Sequence, residues 1–346
     1  MKYIVNGLFL TQRISGVQRY AIEILKELDK INKKQISIAV PEKSTITNEL
    51  ELNSIPTMRF GSHNDRIWEN IDYYRLLRRE DAIGINLCNT APFLNVGIIA
   101  IHDVGFKNRK VIKELGGKEF KCFLRDIQNK IYCKNAKQVI TVSSFSKQEI
   151  EKYYKCKNNI AVVPNAWQHY NDIKEKKIFR KDKRIKNGQF YFALSNLSEH
   201  KNFSWIMNEA LNNTNDIFVV AGGEDPRHFK FSSDFEQLEN VIYVGRISDE
   251  EAKALMTDCR AFVSPSLYEG FGLCPLEALC TGADIIVSDI PAHREVYADA
   301  AVYIDPRKTD YCLSDFCFPG REKINRVLDR FSWSDSALKL YSLLEE

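Results

Sequence analysis

The sequence lacks the features that mark membrane-spanning, secreted and zinc-binding proteins. None of its apolar runs reaches the roughly 18 residues that a membrane-spanning helix needs, and the N-terminal MKYIVNGLFL is too short for a signal peptide. The nine cysteines are odd in number and include no CxxC pair, which argues against a disulfide framework or a zinc site. We therefore expect a soluble, cytoplasmic protein, in which the closest cysteine pairs, Cys274/Cys280 and Cys312/Cys317, are small buried side chains.

The sequence also has little net charge, no repeat of fixed period and no low-complexity tract. A formal net charge of +3 gives no general case for nucleic-acid binding. The 346 residues, of which 44% are hydrophobic, are enough for two domains of ordinary size with real cores.

Short apolar runs alternate with amphipathic segments, which predicts an α/β protein with parallel sheets buried on both faces. The segment 174–187 is too charged and too poor in apolar residues to pack, so we predict a linker over 169–188. The linker separates an N-terminal domain, 1–168, from a C-terminal domain, 189–331. The predicted strands are Tyr3–Val5, Ile36–Val40, Ile83–Cys88, Val96–Ile101, Val139–Val142, Ile160–Val163, Tyr191–Leu194, Phe218–Ala221, Val241–Val244, Ala261–Ser264 and Ile285–Ser288.

Helices are predicted from apolar spacing and from capping patterns. One helix starts near Gly16, another spans Asp249–Asp258, and the capping-box spacing of Ser146 and Glu149 predicts a third start. A further helix over Arg66–Arg79 is expected to carry its apolar side chains on one face, namely Ile67, Ile71, Tyr74 and Leu77.

The least ordinary chemistry lies within residues 261–306, where a loop with two glycines joins a strand to a short helix. Gly270 and Gly272 let the backbone approach a bound anion at the helix N-terminus. Glu269 and Glu277 frame the loop, and a carboxylate beside a phosphate is unfavourable unless it accepts hydrogen bonds. The pair therefore indicates a ligand with phosphate and sugar hydroxyl groups. On spacing alone, a solvated loop residue and a helix N-terminal charge explain the two carboxylates equally well.

The segment EGFGLCPLEALCTGADIIVSDIPAHREV resembles the carboxylate-pair signature of the family-4 retaining glycosyltransferases, which have the GT-B fold. The resemblance implies two Rossmann-like parallel-sheet domains that face each other across a cleft. It implies that Glu269 contacts the transferred sugar and Glu277 the nucleotide ribose. The backbone amides of Gly272 and Leu273 would hold the diphosphate. Cys274 departs from the family pattern, in which a proline or a small residue is commoner.

The donor site implied by the resemblance extends to other loops of the second domain. In SNLSEHKNFSWI, Lys201 matches the lysine that neutralises the diphosphate, and His200 stands where arginine is frequent. A surface lysine is the ordinary alternative for Lys201. The remaining donor-site residues implied are Gly222, Gly223, Gly245, Arg246, Gly270 and Phe271.

In the first domain, the resemblance implies that His102 lies near the reacting end of the sugar and that Asp103 orients it. Gly16 would belong to a loop near the diphosphate and the acceptor. Without the resemblance, His102 is more readily a structural histidine and Gly16 an ordinary turn residue. The closing segment 332–346 resembles the last helix of the family, which packs back on the first domain.

The implied reaction moves a hexosyl unit from a nucleoside-diphosphate sugar to a hydroxyl with retention, without a metal or a cofactor. GDP-mannose is the first expected donor, and the expected acceptor is a glycan or a lipid-linked glycan of a surface polysaccharide. One alternative is an NAD(P)-dependent oxidoreductase, since Gly270, Gly272 and Asp289 are suitably spaced, although a third glycine is missing. Another alternative is a non-catalytic nucleotide-sugar-binding protein.

Residues Lys107–Lys137 are strongly basic and contain an apolar stripe. Such a stripe is usually the core face of a surface helix. A basic amphipathic helix can also lie on an anionic membrane surface, which would place the protein on the inner face of the cell membrane. The apolar residues of the stripe are Phe120, Phe123, Leu124, Ile127 and Ile131.

Overall fold

The structure, a computed structural model, describes most of the chain, namely residues 1–32, 34–48, 50–108, 119–196, 198–223 and 238–344. None of the helices in these ranges is long and apolar enough to cross a membrane.

The chain divides into two compact units. Among the described residues, unit 1 comprises 1–107, 119–165 and 332–344, and unit 2 lies within 166–331. Segment 169–188 groups with unit 2 in this division, and the C-terminal segment groups with unit 1.

Unit 1 is built on a seven-stranded parallel sheet. Its strands are β1 (Lys2–Asn6), β2 (Gln35–Val40), β3 (Thr57–Arg59), β4 (Ala82–Asn86), β5 (Ile98–Ala100), β6 (Gln138–Thr141) and β7 (Ala161–Val162). They are arranged β3-β2-β1-β4-β5-β6-β7, and Tyr3 of β1 pairs with Ile36 of β2 and Ile83 of β4. The chain reverses its direction of travel across the sheet at β4, so the topological switch point lies between β1 and β4.

The helices of unit 1 start where their sequences offer caps. The amide and hydroxyl groups of Ser15 both donate to Gln18 Oε1 at the start of α1. Apolar side chains of α1 recur at helical spacing and are buried, among them Tyr20, Ile24 and Leu28. The helices up to this point of the chain are α1 (Gly16–Ile31), α2 (Asp65–Trp68), α3 (Tyr74–Arg79), α4 (Glu119–Asn135) and α5 (Ser144–Tyr153).

Unit 2 contains a six-stranded parallel sheet of β8 (Phe190–Leu194), β9 (Ile217–Ala221), β10 (Val241–Gly245), β11 (Ala261–Ser264), β12 (Asp284–Ser288) and β13 (Val302–Ile304). The order is β10-β9-β8-β11-β12-β13, and Ala261 of β11 pairs with Tyr191 of β8 and Asp284 of β12. The switch point of this sheet lies between β8 and β11. Its helices are α6 (Phe203–Asn212), α7 (Asp249–Asp258), α8 (Leu273–Thr281), α9 (Pro291–Tyr297) and α10 (Arg321–Leu328).

The final helix, α11 (Trp333–Leu343), completes unit 1. Trp333 meets the ring of Tyr20 on α1 edge-on, with the ring centroids 6.0 Å apart. The Ser336 hydroxyl donates to the Pro164 carbonyl over 2.8 Å, and the Tyr3 hydroxyl donates to the Leu344 carbonyl. The last helix is therefore part of the core of the unit that contains the first strand.

The helix predicted over Arg66–Arg79 exists, but its buried face differs from the prediction. A π-helical segment, Glu69–Tyr73, lies between α2 and α3. A π turn contains an extra residue and therefore rotates the helix face that follows it. Ile67 is exposed, so its predicted place on the core face was wrong. The buried side chains are instead Trp68, Tyr73, Leu76 and Leu77.

Two further local expectations were wrong. Helix α5 is capped by Ser143, whose hydroxyl accepts from the Ser146 amide over 2.9 Å, whereas Ser146 was the predicted cap. The charged segment 174–187 does pack, because its charges find partners on α7 of the same unit. Lys177 Nζ lies 3.0 Å from Asp258 Oδ1, and the Lys176 amide donates to the Glu250 carbonyl over 3.0 Å.

Candidate active site

The candidate site of unit 2 lies in the loops that leave β8 and β11. In open α/β sheets, ligands bind beyond the carboxyl ends of the strands at the topological switch point. The loop after β8 leads to Lys201, and the loop after β11 leads to Glu269 and Gly272. Asn202, in the left-handed conformation, joins the two loops because its amide nitrogen donates to the Pro265 carbonyl over 3.0 Å.

The central contact of the site is an ion pair between Lys201 and Glu269. Lys201 Nζ lies 2.7 Å from Glu269 Oε1, and the Ser266 hydroxyl donates to the same oxygen over 2.8 Å. In the described chain both hydrogen bonds of this carboxylate fall on Oε1. The second oxygen, Oε2, can therefore accept a hydrogen bond from a ligand hydroxyl.

Glu269 is ionised at neutral pH in spite of its surroundings. Burial would raise its pKa, but the charge and hydrogen bond of Lys201, with smaller contributions from His293 and His200, lower the pKa to about 2. The site therefore holds a fixed negative charge against a fixed positive one. Such a pair can orient a sugar hydroxyl and a phosphate oxygen at neighbouring positions.

Helix α8 presents its N-terminus to this loop without a side-chain cap. Gly272, the residue before the helix, has φ +91°, which favours glycine. A Cβ at Gly272 would lie 3.0 Å from both His293 Nε2 and the Tyr297 hydroxyl, so a larger residue would crowd these two side chains. The Tyr297 hydroxyl donates to the Gly272 carbonyl. This packing fixes the loop whose amides the resemblance assigns to a diphosphate.

His293 lies beneath the same loop as a buried, neutral imidazole. Its Nδ1 lies 3.0 Å from the Ser288 carbonyl, which can only accept, so Nδ1 carries the proton. Burial lowers the pKa of His293 to about 4, against the opposing effect of Glu269. Nε2 is buried and has no hydrogen-bond partner in the part of the chain that the structure describes.

Glu277 is one helical turn into α8 and pairs with a histidine of unit 2. His169 Nε2 lies 3.0 Å from Glu277 Oε1, and both side chains are buried. The carboxylate accepts, so the imidazole holds Glu277 in one orientation. Its Oε2 accepts no hydrogen bond from the described residues and can therefore accept hydrogen bonds from two sugar hydroxyls.

The remaining predicted donor-site residues follow β8, β9 and β10 or lie in the loop before α8. Gly222, after β9, has φ +115°, and a Cβ there would lie 1.8 Å from the Ser195 carbonyl oxygen, so only glycine fits. Its amide donates to the Gly245 carbonyl over 2.8 Å, which brings the ends of β9 and β10 together. The others lie in these same loops, namely His200, Gly223, Arg246, Gly270 and Phe271.

Three predicted site residues belong to unit 1. Gly16 is the exposed first residue of α1. His102 is buried, its Nε2 donates to the Leu87 carbonyl over 2.9 Å, and burial lowers its pKa. The Leu87 carbonyl therefore orients the ring, whereas Asp103 Oδ1 accepts from the Gly105 amide and acts on His102 through its charge alone. The expectation that Asp103 orients His102 is corrected in this respect.

Several residues of the site were missed by the sequence analysis. Ser266, His169, His293 and Tyr297 all contact the residues that were predicted. His169 lies 108 positions from its partner Glu277, so only the fold brings them together. Within the described residues, no group of three or more His, Cys, Asp or Glu side chains could hold a metal ion.

Two family models match the chain and together cover most of it. The Glycosyltransferase Family 4 model matches residues 14–167, and the model for glycosyl transferases group 1 matches residues 174–311. The chain belongs to glycosyltransferase family 4. It is a glycosyltransferase, and the dinucleotide-dependent oxidoreductase is not favoured.

Relatives of this family-4 chain include O-antigen mannosyltransferases. The chain is 26% identical to the O-antigen chain mannosyltransferase RfbU of Salmonella typhimurium over 88% of its own length and 86% of that protein. It is 41% identical to an O-antigen chain mannosyltransferase B of Escherichia coli, but over only 20% of this chain and 18% of that one.

Solved structures of glycosyltransferases share the fold of this family-4 chain. Sucrose-phosphate synthase from Thermosynechococcus elongatus superposes with a TM-score of 0.74 and 14% identity, covering 99% of this chain and 98% of that one. WaaG, a glycosyltransferase involved in lipopolysaccharide biosynthesis, gives a TM-score of 0.62 and 16% identity over 97% and 94% of the two chains. The predicted GT-B class, with two Rossmann-like parallel-sheet domains, is confirmed.

Proposed function

We propose that this glycosyltransferase moves mannose from GDP-mannose to a hydroxyl of a glycan or lipid-linked glycan during the synthesis of a surface polysaccharide. The observation that carries the proposal is the Lys201–Glu269 pair beside the uncapped start of α8, with Glu269 Oε2 open to a ligand. The relatives named as O-antigen mannosyltransferases support the choice of donor and of product class.

The reaction proceeds with retention and needs no protein nucleophile. The bond between the sugar C1 and the diphosphate oxygen breaks, and the acceptor oxygen attacks C1 from the same face. The acceptor proton moves to the departing phosphate oxygen, so the products are a lengthened glycan and GDP. Atoms and charge balance without a metal or another co-reactant.

The donor is held by opposite charges on its two ends. Lys201 and the amides of Gly272 and Leu273 stabilise the charge that develops on the leaving diphosphate. Glu269 accepts from a hydroxyl of the sugar, and Glu277 accepts from the ribose hydroxyls. His102 of unit 1 is a neutral imidazole at neutral pH, since its pKa is lowered by burial, and the family resemblance gives it a part in the reaction.

A thermal-shift panel of GDP-, UDP-, ADP- and dTDP-sugars tests the donor, because a ligand that binds only the native state raises the melting temperature. We expect GDP-mannose to give the largest shift. Incubation with that donor and an acceptor extract, followed by NMR of the product, reads the anomeric configuration. A larger shift with another nucleotide would replace the donor, and an inverted product would overturn the mechanism. Activity that EDTA abolishes would overturn metal independence.

We also propose that α4 contacts an anionic membrane that carries the acceptor. Phe120 and Phe123 of α4 are 71% and 59% exposed, and Leu124 and Ile127 lie on the same exposed face. The N-terminal half of this apolar stripe therefore does not face the core of unit 1. Residues 109–118 of the basic segment lie outside the described residues. The exposed basic side chains of the described part are Lys121, Arg125, Lys130 and Lys134.

Vesicle co-sedimentation tests the membrane contact. We expect binding to vesicles that contain phosphatidylglycerol and much weaker binding to pure phosphatidylcholine. The Phe120→Ser/Phe123→Ser variant should bind at least about tenfold more weakly, since each buried phenylalanine contributes about 1.5–3 kcal/mol. Leu211→Ser, which changes an exposed apolar residue of unit 2, is the matched control. Equal binding by both variants would exclude α4 as the contact.

A further inference from the structure

Unit 1 has a pocket of its own at the switch point of its sheet. Its cavity volume is about 70 Å³, so a sugar-sized ligand would enter it only in part, and it lies where β1 and β4 end. That position is where open α/β sheets bind ligands. The pocket is lined by Asn6, Leu8, Phe9, Gln12, Arg66, Leu87, Cys88 and Thr90.

A buried glutamate fixes the polar wall of this pocket. Glu69, on the π-helical segment, is fully buried, and both of its oxygens are occupied. Oε1 accepts from Asn6 Nδ2 over 2.7 Å and from the Thr90 hydroxyl over 2.5 Å. Oε2 accepts from Arg66 Nη1 over 2.6 Å. Glu69 therefore orients three lining side chains, and its complete burial keeps it from direct contact with a ligand.

The lining side chains keep hydrogen-bonding capacity on their other atoms. The half-exposed Arg66 has five N–H groups, of which it uses one for Glu69, one for Tyr132 and one for a long contact of 3.4 Å to Gln128. The Gln12 side chain accepts from Gln18 Nε2 over 2.9 Å, and its own amide nitrogen stays available as a donor. The Thr90 hydroxyl donates to Glu69 and can still accept.

The charge of the wall is balanced, because Glu69 neutralises Arg66. A phosphate or a carboxylate would gain little net attraction there. Hydroxyl groups can accept from Arg66 and Gln12 and donate to Thr90, while Leu8 and Leu87 offer apolar contact. These are the groups that a neutral pyranose presents.

We propose that this pocket binds one neutral sugar unit of the acceptor, through Gln12, Arg66 and Thr90, and that Glu69 is a positioning residue. The assignment rests on the proposed function, since it takes the acceptor to be a glycan. It adds a selectivity: neutral sugars bind and uronic acids do not.

Saturation-transfer NMR on the full chain tests the pocket with D-mannose, D-glucose, D-galactose, N-acetyl-D-glucosamine, L-rhamnose and D-glucuronate, each at millimolar concentration. We expect at least one neutral sugar to bind and glucuronate to bind more weakly. Gln12→Ala should weaken the binding of that neutral sugar about tenfold, which is the loss expected for one hydrogen bond. Arg75→Met, an exposed arginine two helical turns further on, should change nothing.

Arg66→Met would leave Glu69 buried and unpaired and is expected to fold poorly. The double variant Arg66→Met/Glu69→Gln removes both charges, and it should fold and bind the sugar more weakly than wild type. No binding by any neutral sugar, stronger binding of glucuronate, or wild-type binding by Gln12→Ala would each overturn the inference.

The donor readout separates this inference from the proposed function. Gln12→Ala should keep the full thermal shift with GDP-mannose. If wild type shows that shift while no neutral sugar binds, the donor proposal stands and the pocket assignment fails. If the sugar binds as expected and GDP-mannose gives no shift, the donor proposal fails and the pocket assignment stands.

Discussion

Each unit of the molecule holds a glutamate–cation pair near the switch point of its sheet, and the two pairs differ in how many bonds the glutamate has left. Glu69 of unit 1 is fully buried, and three side chains occupy both of its oxygens. Glu269 of unit 2 accepts two hydrogen bonds on one oxygen and keeps the other open. We infer that Glu69 has a structural role and that Glu269 has a ligand-binding role.

The two pairs also differ in how far apart their partners lie in the sequence, and this separation explains the difference. Arg66 and Glu69 lie three residues apart on one helical segment, so local geometry brings them together. Lys201 and Glu269 lie 68 residues apart in two loops that follow different strands. A pair held by loops at a sheet edge can open to admit a ligand without disturbing the core.

The largest expected effect is on stability, from the loss of Glu69. Glu69→Ala leaves Asn6, Thr90 and the half-exposed Arg66 without this acceptor, and each buried donor left unpaired typically costs about 1–3 kcal/mol. Urea unfolding should show that loss, while donor binding by the folded variant is retained. Glu269→Ala should instead lose donor binding, together with the stability that its ionised carboxylate contributes through Lys201. Loss of the donor thermal shift by folded Glu69→Ala would erase the proposed distinction between a structural and a functional carboxylate.

A slightly smaller effect, on turnover, is expected from Lys201→Ala. Removing one group that stabilises a developing oxyanion costs about 10²–10³ in kcat. The variant should fold, which its melting temperature will show. Lys177→Ala, which removes another part-buried lysine of unit 2 that pairs with a carboxylate, serves as the control and should keep its turnover. Near-normal turnover by Lys201→Ala would remove Lys201 from the site.

His293 makes the stability of unit 2 depend on pH. Its folded pKa of about 4 lies below the ordinary histidine value of about 6.5, so between these values the unfolded chain binds more protons. The stabilisation is complete above pH 6.5 and is lost as the pH falls towards 4. The free energy of unfolding should fall by about 2 kcal/mol between pH 7 and pH 5 from this group alone.

Unfolding curves of His293→Asn test this dependence, because the asparagine amide can still donate to the Ser288 carbonyl but does not titrate. The variant should lose about 2 kcal/mol less than wild type over the same range. A slope identical to that of wild type would show that another group causes the dependence.

The smallest expected effect is on donor affinity, from Glu277→Gln. The change removes the charge but keeps the size of the side chain next to His169. We expect the dissociation constant for the donor to rise about tenfold, the loss of one charge-assisted hydrogen bond. Titration calorimetry with GDP and with pyrophosphate, which has no ribose, separates a ribose contact from a phosphate contact. A loss with both ligands would contradict the ribose assignment.

Eleven of the thirteen described strands could be predicted within two residues, because a parallel sheet buried on both faces demands continuous apolar runs. The two short edge strands, Thr57–Arg59 and Val302–Ile304, were missed. The predicted strand over Ile83–Cys88 is Ala82–Asn86 in the structure. The face of the helix at Arg66–Arg79 could not be predicted, since the π turn shifts the periodicity on which such predictions depend.

The candidate site was predictable only where one segment carries the chemistry. Glu269, Gly272 and Glu277 share a stretch whose glycines and carboxylates indicate a phosphate and a sugar. His169 and His293 carry no such local signal, because each becomes meaningful through a partner from another element. Residue type and spacing identify the groups that meet the ligand more readily than the groups that support them.

Helix α11 has a consequence for how the protein is made. The ribosome synthesises β1 and α1 before unit 2, yet Trp333 and Ser336, which pack against Tyr20 and Pro164, are synthesised after it. Domains fold as units during synthesis, at about 5–20 residues per second. All of unit 2 is therefore synthesised before unit 1 can close its core, and part of the apolar surface of the nascent unit 1 stays uncovered until residues 332–344 have been made.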